Sequence, residues 1–276
     1  MRAAYTAAII RVLLKHDLHF NWVAGVSAGA SNLLNYVSRD ADRAQKSFTD
    51  FAADPKMGNW VTFLRGKGLF NSEYIYLQTA GKDQALPFDW DTFNANPATI
   101  RVGGFNATDG KMVYWGREDI ETEEDLLVRT QASSTLPGFM PMVKIGDKTY
   151  VDGALGPSGG IAIDAARADG FTRFFVVLSR TRDYWKPQAT NHRFLRRHFW
   201  RYPALAQAII DRPDNYNRSK QEILDLVEAG DAYAFIPETM NVSVSSRSVP
   251  RLRTAYATGL AQATRELPAM KEFLGF

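Results

Sequence analysis

The hydrophobic positions along the chain follow two periods. Residues 3–15 carry Tyr5, Ile9, Val12 and Leu13 near helical spacing and predict an amphipathic helix. Residues 20–26 (FNWVAGV) form a short apolar run that predicts a buried strand, and the segment from Ser27 to about Val37 predicts a helix directly behind it. A second helix is expected over 41–53, stopped by Asp54-Pro55. Residues 98–107 and 111–116 read as a hairpin turning at Thr108-Asp109-Gly110. The run from Thr122 to Asp125 reads as a capping box that opens a helix to about Ala132. Two short strands flank Gly146-Asp147, and FTRFFVVLSR (171–180) reads as the clearest buried strand. Residues 181–218 read as an irregular aromatic and basic insertion. A helix over 219–229, short strands at 232–236 and 241–245 and a helix over 251–267 follow.

Strands alternating with helices predict an α/β fold on a largely parallel sheet. No repeat, low-complexity tract or linker divides the chain. Residues 1–180 are expected to form the core, with 181–276 as an insertion and C-terminal region packing on the same domain.

Composition narrows the chemistry. Of 276 residues, 45% are hydrophobic and 23% charged, an ordinary globular balance. Cysteine is absent, which excludes disulfide scaffolds, thiol nucleophiles and thiolate zinc sites. The formal charge of +3 gives no case for nucleic acid. No stretch approaches a membrane span, and Arg11 and Lys15 interrupt the N-terminal apolar run, so a cytoplasmic location is expected.

Gly25-Val26-Ser27-Ala28-Gly29 matches G-x-S-x-G, a pattern that a chain of this length contains by chance about 0.1 times. Its context is an apolar strand leading in and a helix leading out. Such a turn lifts a serine hydroxyl above a sheet and needs small neighbours, which Gly25 and Gly29 supply. The first turn of the following helix aims amides and its positive dipole end at the reacting atom. The competing account makes Ser27 a buried residue in a glycine-lined packing turn.

A serine nucleophile needs a base. His16 and His19 precede the elbow strand and lie a strand length of about 20 Å from Ser27. His192 and His198 reach it only if 181–218 folds back over the site. Asp152 ends a short strand beside the loop DGALGPSGG, where a carboxylate can act as general base. An Asp satisfied by its own loop amides is the alternative.

These residues resemble the patatin-like phospholipases, over most of the chain. GVSAGAS (25–31) is similar to the family's nucleophile motif, and Asp152-Gly153-Ala154 to its D-G-[GA] motif. QASSTLPGFMPMVKIGDKTYVDGAL resembles the segment leading into the latter, and RPDNYNRSKQEIL (212–224) the C-terminal part of one bacterial branch. The resemblance implies a three-layer α/β fold, with a mostly parallel sheet between helices and a serine acyl hydrolase activity on lipid esters. It implies Ser27 as nucleophile and Asp152 as base, with no histidine, metal or cofactor.

The family opens with a strand and a G-G-G-x-[RK]-G oxyanion loop. Here Met1 falls at x, Arg2 at the basic position and Ala3 at the last glycine, so a start internal to a longer coding sequence is expected. What remains of the oxyanion set is the Ala28 amide and Arg2. Loss of one donor costs about 3–4 kcal/mol in transition-state stabilisation, and a lipid-binding pseudohydrolase is therefore the second expectation.

Arg193, Arg196, Arg197 and Arg201 interleave with Phe194, Leu195, Phe199, Trp200 and Tyr202, with no acid among them. Contact with a membrane surface through Arg193, Arg196, Arg197 and Trp200 is one reading. The other is an amphipathic helix whose aromatic face lies in the core.

Overall fold

The computed structural model describes residues 1–58, 68 and 70–276. Its sheet is organised by one strand, β2 (Thr99–Asn106), which β1 (Trp22–Val26), β3 (Lys111–Trp115) and β5 (Lys148–Asp152) all pair with; β4 (Val143–Ile145) pairs with β5. β3 folds back along one edge of β2, from Val102 to Asn106. The other edge is shared. β1 runs parallel to it from Thr99 to Gly103, and β5 runs antiparallel from Asn106 to Gly104. The C-terminal ends of β1 and β5 therefore meet, Val26 opposite Gly103 and Asp152 opposite Gly104.

Helices cover both faces. On one side α1 (Ala3–Lys15), α2 (Ala28–Val37), α3 (Ala41–Phe48) and α5 (Glu123–Ser133) pack with Ile100, Val102 and Trp115. The short α4 (Trp90–Ala95), capped by Asp89, adds Phe93 to that core. The alanine-rich α1 is buried along nearly its whole length, because small side chains let α9 (Val249–Leu274) approach closely. At the crossing, a Cβ on Gly259 would lie 2.3 Å from the Tyr5 carbonyl oxygen. On the other side, α7 (His192–His198) and α8 (Pro203–Ala229) lead Phe199, Leu205 and Ala206 onto Phe105 and Val151. The parallel pair β6 (Phe174–Val177) and β7 (Ala232–Phe235) packs with α6 (Ile163–Ala168) and α8. It meets the start of β1 through Phe20–Phe175 and Trp22–Phe171 ring contacts at 5.0 and 5.5 Å. The result is a three-layer α/β fold with a mixed five-stranded sheet, parallel at β1–β2 and antiparallel at its other pairs, and a separate parallel pair, β6–β7.

Several local expectations shift. The helix predicted over 41–53 stops at Phe48 and continues as a 3₁₀ turn, Asp50–Ala53. The capping box forms as predicted, Asp125 N–H donating to Thr122 Oγ1 (3.2 Å) and Thr122 N–H to Asp125 Oδ2 (3.1 Å). The strand expected over 171–180 is only four residues long, and Val177 is 38% exposed. Residues 203–218 are helical, not irregular. Burial of Leu205, Ala206, Ile210 and Pro213 on one stripe outweighs the lost hydrogen bond at Pro213, and α8 runs through it. Likewise α9 runs through Pro268 to Leu274. No strand forms at 241–245, where Ser243 and Ser246 close a local turn instead.

Candidate active site

The meeting of β1 and β5 brings together two residues 125 positions apart. Ser27 follows the last residue of β1, and its hydroxyl donates to Asp152 Oδ2 at 2.8 Å. Asp152 ends β5, is 3% exposed, and its Oδ1 accepts the Ala154 N–H at 2.8 Å. Its own amide donates to the Thr135 carbonyl (2.8 Å), which fixes the backbone on the far side.

Ser27 sits at φ 57°, ψ −125°, a conformation that favours glycine. Ser133 holds it there: the Ser27 N–H donates to Ser133 Oγ (2.9 Å), and Ser133 Oγ–H donates to the Gly103 carbonyl (2.6 Å). The elbow is thus tied to β2 through one buried hydroxyl. With the Ser27 amide occupied, the free donors are the next two. Among the described residues, the Ala28 and Gly29 amides of the first turn of α2 have no protein acceptor, whereas Ala30 N–H bonds to the Ser27 carbonyl. They stand at the positive end of the helix dipole beside the Ser27 hydroxyl.

The two motif glycines differ. A Cβ on Gly25 would lie 2.3 Å from the Gly29 carbonyl oxygen, so Gly25 permits the close strand–helix crossing. A Cβ on Gly29 would meet nothing within 4 Å, which corrects the expectation that Gly29 supplies packing space. Gly25→Ala is therefore expected to destabilise the fold by about 1–3 kcal/mol or more. Gly29→Ala, at a helical position, is expected to stabilise it by up to about 1 kcal/mol. Denaturant melts of the two variants check both. Gly153 is needed as Gly25 is, since its Cβ would lie 2.4 Å from the Gly103 carbonyl oxygen. Ala154 contributes its amide to Asp152.

Burial dominates the electrostatics of Asp152 and raises its pKa above the usual carboxylate range. Arg212, the Ala154 amide, the Ser27 hydroxyl and Lys186 oppose that rise. The carboxyl is thereby a stronger base than a surface aspartate. Arg2, the N-cap of α1, lies near Arg180 and Arg212 and near Tyr184 and Tyr216, and burial, then Arg180, lowers its pKa. Tyr76, whose hydroxyl is 3.4 Å from Ser31 Oγ one turn along α2, is close enough that the Asp152 charge helps raise its pKa, after burial.

None of the four histidines reaches Ser27. His16 caps the end of α1, and His19 pairs with Asp17 at 3.8 Å on the surface. His192 lies against the Ala189 carbonyl, and His198 stacks on Phe194. Among the described residues, no three His, Asp or Glu side chains gather as metal ligands do. Sequence reasoning missed Ser133, Tyr76, Arg180, Lys186 and Arg212. The hydroxyl run Ser133-Ser134-Thr135 ahead of β4 was the available signal for the first of these.

The patatin-like phospholipase family profile matches residues 1–166, and that of a domain of unknown function (DUF6363) matches residues 202–275. The chain is also 24% identical over 275 residues to the uncharacterized protein YjjU of Escherichia coli, an alignment covering 94% of this chain and 72% of that one.

Proposed function

Since the chain belongs to the patatin-like phospholipase family, we propose that it is a serine acyl hydrolase in which Ser27 attacks a carboxylic ester of a lipid and Asp152 is the base. The observation that carries this reading is the 2.8 Å bond from Ser27 Oγ to a buried carboxylate, on an elbow held at positive φ. In the first step Asp152 takes the Ser27 proton as Oγ adds to the ester carbon. The oxyanion develops toward the free Ala28 and Gly29 amides. Collapse expels the alkoxide, which takes the proton back from Asp152. Water, deprotonated by the same carboxylate, then releases the acid and restores Ser27. Each proton moves through one carboxyl group, so no imidazole is required.

The test is turnover of a short-chain ester and of micellar phospholipid by the purified chain. Ser27-dependent hydrolysis is expected. Vesicle binding with no turnover at high protein concentration would replace this reading with that of a lipid-binding protein.

The basic aromatic segment supports a peripheral membrane contact. Phe199 is buried, but Phe194 and Trp200 are 64% and 68% exposed, contrary to an aromatic face lying wholly in the core. Arg193, Arg196 and Arg197 are exposed beside them. Exposed aromatic rings among arginines suit an interface of acyl chains and anionic headgroups. Among the described residues no helix is long and apolar enough to cross a membrane. Joint replacement of Phe194 and Trp200 by serine is expected to weaken binding to anionic vesicles about tenfold or more in a sedimentation assay.

A further inference from the structure

One face of α8 and the segment 180–186 packed on it carry cations whose charges act on Asp152. Arg212, Tyr216 and Lys220 recur every four residues and so share that face. Lys220 is fully buried, and its Nζ donates to the carbonyls of Thr181 (3.2 Å), Arg182 (2.6 Å) and Tyr184 (2.5 Å). Asn217 makes a reciprocal pair with the Lys186 backbone, at 2.8 and 3.0 Å. These bonds clamp 181–186 onto α8 and fix the charged side chains at its ends. Arg180 lies over the Tyr184 ring (3.9 Å) and Lys186 over the Tyr216 ring (5.1 Å).

Four cations meet here. Burial, then Arg212, Arg180 and Arg2, lower the Lys186 pKa to about 8, and Asp152 opposes them. Among the described residues, none of the side chains of Arg2, Arg180, Lys186 and Arg212 has an ion-pair partner. The Nε–H groups of Arg2 and Arg212 are out of solvent and have no acceptor. Asp152 supplies a single carboxylate for four cations, and its two oxygens bond Ser27 and Ala154 and none of the four. Unpaired charged donors held away from water are unfavourable unless a ligand satisfies them, and guanidinium groups suit oxyanions with several acceptor atoms.

We propose that Arg2, Arg180, Lys186 and Arg212 form an anion subsite that receives the phosphate of the substrate, so that acyl esters bearing a phosphate near the scissile bond are favoured over neutral acylglycerols. The identity of the substrate rests on the hydrolase reading above; the existence of the subsite does not.

Two measurements separate them. In Ser27→Ala protein, inorganic phosphate at fixed ionic strength is expected to raise the melting temperature relative to chloride, and adding Arg180→Gln or Lys186→Gln is expected to remove that rise. In the wild type, kcat/KM is compared for dibutyryl glycerophosphate against dibutyryl glycerol, and for the dioleoyl pair in neutral micelles. A preference for phosphate of about tenfold or more is expected, falling toward unity in either variant. A preference in both pairs identifies recognition of the phosphate ester itself, and one confined to the dioleoyl pair identifies a lipid headgroup. Equal rates in both pairs, or a preference and a phosphate-induced rise that survive both variants, would overturn the subsite. Arg180-dependent stabilisation by phosphate with no hydrolysis of any ester would keep the subsite and remove the hydrolase reading.

Discussion

Ser27→Ala is expected to lower ester hydrolysis by at least about 10⁴-fold, with the fold intact. The hydroxyl donates to a buried carboxylate, and its residue is the N-cap of a helix whose first two amides have no protein acceptor among the described residues. The residue also carries a cost that a second substitution exposes. Alanine keeps a Cβ at φ 57°, whereas glycine does not. Ser27→Gly should therefore be as inactive as Ser27→Ala but more stable than it by about 1 kcal/mol. Parallel turnover assays and denaturant melts measure the two effects separately. Equal stability would mean that the elbow is not strained in solution.

Asp152→Asn is expected to lower turnover by about 10⁴-fold as well, because an amide cannot accept the serine proton. Its hydrogen bonds persist with one reversed: Oδ1 still accepts from Ala154, and Nδ2 donates to Ser27. Stability should move the other way. The pKa of Asp152 is raised in the folded protein, so the folded state binds more protons than the unfolded state between the two pKa values. Wild-type stability from this group is fully present below the unfolded pKa and falls as pH rises through the folded one. The Asn variant lacks that loss, so it should melt above wild type at neutral pH, the difference growing with pH across that window. A variant that is both inactive and more stable would show a buried charge retained for chemistry.

The parts of this arrangement that were legible in the sequence are local. An apolar run entering Gly25-Val26-Ser27 predicts a strand and an elbow, and Asp152 beside a glycine-rich loop predicts a strand-end carboxylate. Thr122 and Asp125 predict a helix start. What sequence could not give is register. That β1 and β5 share one edge of β2 depends on pairings between segments far apart in sequence, Val26 with Gly103 and Gly104 with Asp152, and on Gly104, where a Cβ would lie 2.5 Å from the Trp115 ring. Ser133 is an ordinary hydroxyl until that register places it between Ser27 and Gly103. Lys186 carries no pattern of its own, and Arg212, though it opens the segment 212–224, acts on Asp152 in a fold whose α8 runs through Pro213. The arginine-rich stretch at 193–201 was conspicuous in composition, yet the cations that act on Asp152 lie outside it.

The transfer of a proton from Ser27 to Asp152 is tested most directly by the rate of fluorophosphonate labelling as a function of pH, with the adduct located by peptide mass. One adduct per chain is expected, on the peptide containing Ser27. Its rate should rise through an ionisation above the ordinary carboxylate range, and that limb should be absent from the residual labelling of Asp152→Asn. Labelling at another residue, or an unchanged rate and pH profile in Asp152→Asn, would contradict it.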